Sequence, residues 1–77
     1  MQDVLHKLLE PFGGGVTVDA KGLVEVPRPA VLHSSAMDVL VRAAVFGSTE
    51  TKDVARWLLW ELGQVAGVRP ASIHDLY

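Results

Sequence analysis

The sequence predicts a small α+β domain, mainly helical: one helix, a β-hairpin, then three helices, the last two forming a helix-turn-helix. Three observations carry this expectation. Residues 2 to 12 place apolar side chains at helical spacing, residues 16 to 26 alternate apolar and polar around a turn, and the last third holds a long helical pattern broken by Gly67-Val-Arg-Pro70. With 77 residues the chain makes one domain, and at this size roughly 60% of the surface exposed by the unfolded chain can be buried.

In the first segment Val4, Leu5, Leu8, Leu9 and Phe12 share one side, and Gln2, Asp3, His6, Lys7 and Glu10 take the other. Pro11 disfavours helical geometry at Glu10, and Gly13-Gly14-Gly15 reads as a flexible linker. Val16 to Asp19 and Leu23 to Val26 then flank Asp19-Ala-Lys-Gly22, where aspartate suits the turn start and glycine can take positive φ. The inward face of this hairpin is Val16, Val18, Val24 and Val26, and it must lie on a helix because an isolated hairpin is marginal in water. Pro27 and Pro29 make an extended connector.

Ser34 or Ser35 can cap the next helix, which runs to about Phe46; with Ser35 as the cap, Asp38 approximates a capping box. Only Asp38 and Arg42 are charged within it, four apart, so this helix is expected to be central, with Gly47 as a C-terminal stop. Ser48 or Thr49 caps the following helix, with Glu50 in its first turn. Val54, Leu58, Leu62 and Val65 form a stripe that Trp57, Leu59, Trp60 and Ala66 widen, a breadth that implies contacts on two sides. Gly67 stops that helix and Pro70 suits the first turn of the last one.

Composition narrows the function. The chain is 49% hydrophobic, a high apolar load for so small a globule, so part of that surface is expected to meet a protein partner or a second copy. Formal charge is −2, which gives no whole-chain footprint for nucleic acid. The absence of cysteine excludes disulfides, thiolate zinc sites and cysteine catalysis, and fits a cytoplasmic location. No apolar run is longer than the four residues Ala43 to Phe46, far short of the roughly 20 residues that span a bilayer. The N-terminus also lacks the pattern of a signal peptide.

No catalytic constellation emerges, and no cofactor or metal is expected. His6 and Glu10 are four apart on one helix but have no third ligand in sequence, so they read as a solvated face. His33 beside Ser34 and Ser35 reads as a neighbour of capping serines rather than a base beside a nucleophile. His74 and Asp75 would face about 100° apart on a helix, with no nucleophile alongside. The glycine run lacks the Gly-Lys-Ser/Thr ending of a phosphate cradle and leads into a strand. Trp57 and Trp60, at helical spacing in an apolar segment, are the candidate interface.

Ala66-Gly67-Val68, Ser72-Ile73 and Tyr77, within residues 62 to 77, resemble in type and spacing the helix-turn-helix of tetracycline-repressor-type transcription regulators. The resemblance implies that Arg69, Ser72 and His74 would be the nucleic-acid contacts, meeting phosphate or base edges. Between Thr49 and Tyr77, however, three basic residues stand against four acidic ones, and that net −1 disfavours a DNA face. Residues 53 to 77, with Ala-Arg-Trp-Leu-Leu-Trp-Glu-Leu and Arg-Pro-Ala-Ser-Ile-His-Asp-Leu-Tyr, also resemble the N-terminal region of bacterial class II aldolase-like enzymes. That resemblance implies a non-catalytic leading module of a larger metabolic enzyme, with zinc site and barrel outside this chain. The expected function is a non-enzymatic interaction or regulatory module.

Overall fold

A computed structural model describes residues 2 to 66. Helix α1 (Gln2–Leu9) leads through a 3-10 turn (Glu10–Phe12) to strands β1 (Thr17–Val18) and β2 (Val24–Glu25). A second 3-10 segment (Pro29–His33) then precedes α2 (Ser35–Phe46) and α3 (Thr49–Ala66). The fold is therefore mainly helical α+β with one two-stranded hairpin. The expected final helix and the helix-turn-helix junction at Gly67 lie outside the described residues.

The hairpin follows its alternation. Thr17 pairs with Glu25 and Val18 with Val24, antiparallel, so the two valines share a face. Val16 and Val24 are buried and Val18 and Val26 half-buried, which puts the expected face against the helices. The turn is held by Asp19, whose carboxylate accepts the N–H groups of Lys21 at 2.8 Å and Leu23 at 2.9 Å. Gly22 takes φ +84°, a conformation L side chains rarely adopt.

The glycine run is a built corner rather than a linker. Gly15 is buried; its N–H donates to the Phe12 carbonyl at 2.9 Å, and its own carbonyl accepts from the Arg28 N–H at 3.4 Å. The Arg28 guanidinium also donates to the Gly13 carbonyl, tying the corner to the segment after the hairpin. That segment is not simply extended either: Pro29 opens a 3-10 helix, its fixed φ suiting the first position, and Leu32 is buried by it.

A Cβ added at Gly15 would lie 2.5 and 2.6 Å from the Val31 methyl carbons and 3.1 Å from the Phe12 carbonyl oxygen. Gly15→Ala is expected to cost about 1–3 kcal/mol by overpacking. Val31→Ala in the same chain should recover part of that loss in urea unfolding. Equal stability of Gly15→Ala and the parent would refute the close approach.

Both remaining helices are capped by the first of the two residues that could do so. The Ser34 hydroxyl accepts the Ala36 N–H at 3.3 Å and donates to the Val31 carbonyl at 2.6 Å. With Ser34 as cap, Asp38 falls at the fourth helical position, too late for a capping box. Ser48 likewise accepts the Thr51 N–H at 3.3 Å and donates to the Thr51 hydroxyl at 3.0 Å.

The central helix is α3, not α2. Val54, Ala55, Leu58, Leu59 and Leu62 are all buried, because α3 packs on α2 along one side and on α1 and β2 along another. Arg56 reaches across to donate to the Ala44 carbonyl of α2 at 3.2 Å. In α2 only the face of Ala36, Met37, Leu40 and Ala44 is buried, while Val39 and Phe46 are exposed. Its long apolar composition overstated its burial, since an amphipathic face needs only one stripe.

Candidate functional site

An apolar groove with charged walls lies among the described residues. Leu5 of α1, Val18 and Ala20 of the hairpin, and Val54 and Trp57 of α3 line a cavity of about 480 Å³ that is partly open to solvent. Asp19 and Asp53 line it as well. The local sequence sets each position. Asp53 and Trp57 are four apart in α3 and so stack on one helix face. Asp19 is fixed by the two backbone N–H groups its side chain accepts, and Val18 points to the same hairpin face as Val24.

The chemistry this arrangement offers is recognition. An indole, aliphatic walls and two exposed carboxylates can hold a group with an apolar body and a positive end. Among the described residues no group of three or more His, Cys, Asp or Glu side chains could hold a metal. His6 and Glu10 are both exposed, and so is His33, whose neighbour Ser34 is engaged as a helix cap. A second depression, on the outer face of α2, is lined by Ser35, Asp38, Val39, Val41 and Arg42, which mix both charge signs.

Trp57 and Trp60, expected as one surface, stand in different surroundings. Trp57 is half-buried against the core and forms a wall of the groove. Trp60 is 52% exposed. At 3.6 residues per turn the two project about 60° apart, and both are turned away from the Leu58, Leu59 and Leu62 side. The residues expected to contact nucleic acid, Arg69, Ser72 and His74, lie outside the described residues. Arg56, one of the three basic residues between Thr49 and Tyr77, is turned toward α2.

Sequence reasoning found Trp57 but missed its companions. The Asp53 to Trp57 interval was readable as a shared helix face; Asp19 was read only as a turn residue, and Leu5 only as core. Nothing in the sequence aligned the hairpin turn with the first half of α3. Among the described residues no helix is long and apolar enough to cross a membrane. Comparison with known proteins finds no matching family model and no significant match to a curated protein or a solved structure.

Proposed function

We propose that this chain is a non-enzymatic interaction module that buries Trp60 against a protein partner, a second copy of the chain being the partner it takes in isolation. The observation that supports this most is the contrast across α3. One side, at Leu58, Leu59 and Leu62, is fully buried, while Trp60, one of the two largest side chains of the same stretch, is left half in water. Exposing an indole forgoes a large burial term, and interfaces are enriched in tryptophan at their centres. Phe46, 83% exposed at the end of α2, adds apolar surface in the same domain.

The test is the mass of the protein in solution as a function of concentration. Mass should rise with concentration for the parent, and Trp60→Ala should weaken association by at least about tenfold, the effect of losing a residue worth roughly 2 kcal/mol at an interface. The helical circular-dichroism signal should be unchanged, because Trp60 is not part of the buried core. A parent that remains monomeric at millimolar concentration, or a variant that associates equally well, would overturn the proposal.

A further inference from the structure

We propose that the groove between the hairpin turn and α3 receives a lysine or arginine side chain presented by a partner polypeptide. This goes beyond burial of Trp60: it assigns a second contact and a charge to the partner, and depends on the interaction reading only in taking a protein as the ligand.

Three features select that occupant. First, the charged groups lining the groove among the described residues are both carboxylates, Asp19 on the hairpin and Asp53 on α3, and they belong to different walls. A cation entering between them meets negative charge from both elements. Second, Trp57 supplies an aromatic surface in the same cavity, and arginine and lysine are attracted to indole faces. Third, Leu5, Val18 and Val54 give the cavity aliphatic lining beside the carboxylates. These suit the methylene stem of a long basic side chain, which buries its carbon chain while its head remains polar.

The shape favours a side chain over a free small molecule. Pockets for small ligands bury most of the ligand surface, whereas this cavity is about half open to solvent. An opening of that kind admits a side chain whose backbone stays outside. Asp19 is suited to the role because its turn bonds fix it before any ligand arrives: one carboxylate oxygen accepts both backbone N–H groups, and the other has no part in those two bonds. A preset partner reduces the ordering cost of binding.

The experiment uses the full 77-residue chain, labelled with nitrogen-15, and pools of blocked pentapeptides. Their central residue is arginine, lysine or the neutral isostere citrulline, flanked by mixed apolar residues. Two indole N–H signals report separately on Trp57 and Trp60, assigned with Trp60→Phe. The arginine and lysine pools should shift the Trp57 signal saturably at millimolar concentration and leave the Trp60 signal in place. Each of Asp53→Asn and Asp19→Asn should weaken binding by roughly three- to fivefold, the scale of one exposed charge contact. Asparagine at position 19 keeps the side-chain carbonyl that accepts the turn bonds, so a loss there reports on charge rather than unfolding.

The proposal is overturned by any of four results: no shift from either cationic pool, an equal shift from the citrulline pool, binding indifferent to both Asn variants, or an equally strong response to free arginine amide. Loss of Trp60-dependent association leaves the Trp57 titration readable, so the two proposals fail separately.

Discussion

Leu58→Ala is expected to lower the free energy of unfolding by about 2–5 kcal/mol, a large share of the stability of so small a domain. The position dictates the size. Leu58 is fully buried in the middle of α3, with Val54 one turn before it and Leu62 one turn after, both also buried. The helix meets α2 on one side and α1 and β2 on the other, so neighbours from several elements would have to move to refill the space. A cavity held open from two sides collapses poorly, which puts the loss in the upper part of the range. A domain of this length has a total stability of only about 4–12 kcal/mol at the usual 0.05–0.15 kcal/mol per residue. Urea unfolding followed by circular dichroism measures the change directly. A loss below about 1 kcal/mol would mean that α3 is not the element around which the core is built. Trp60→Ala serves as the control on the same helix, where monomer stability should move far less because the side chain is half exposed.

The contrast between Leu58 and Trp60 also marks what sequence alone could and could not tell. Spacing placed Val54, Leu58 and Leu62 on one stripe, and all three are buried. Val65 was put on the same stripe and is exposed, because periodicity gives a direction around the helix and not the point along it where neighbours end. Alternation likewise set the hairpin face and the turn at Gly22, both local properties. Where a residue's surroundings come from distant segments, the sequence was silent or misleading. The glycine corner depends on Arg28 and Val31, which approach from beyond the hairpin. The groove needs Leu5, Asp19 and Asp53 brought together from three elements. No spacing rule relates positions that far apart, so half of the candidate site could be read in α3 and the other half could not.

Gly47→Ala is expected to destabilise the fold by about 1–3 kcal/mol, although the backbone there is one that alanine adopts freely. Glycine after a helix ordinarily signals a left-handed residue, and the sequence invited that expectation. Gly47 instead has φ −70° and ψ 175°, so its conformation gives no reason for glycine. Space does. A Cβ would sit 2.6 Å from the Ala43 carbonyl oxygen, 2.7 Å from Thr51 Cγ2 and 2.9 Å from Thr51 Cβ. The first contact is with backbone whose oxygen accepts the Gly47 N–H at 3.0 Å, so relief would break the bond that closes α2. The others belong to the first turn of α3, which Ser48 caps through Thr51. Two opposing terms set the sign. Alanine restricts the unfolded chain and alone would stabilise by about 0.4–1 kcal/mol, whereas crowding at the junction of the two most closely packed helices costs more. Adding Thr51→Ser removes the crowded Cγ2 and retains the hydroxyl, so the double variant should regain part of the loss, and the Ala43 contact should keep it below the parent. Thermal and urea unfolding of the four proteins form a double-mutant cycle that measures the coupling. An unchanged or higher stability for Gly47→Ala would show that the helix junction has room, and that the turn between α2 and α3 is looser than its bonds to Ala43 and Thr51 imply.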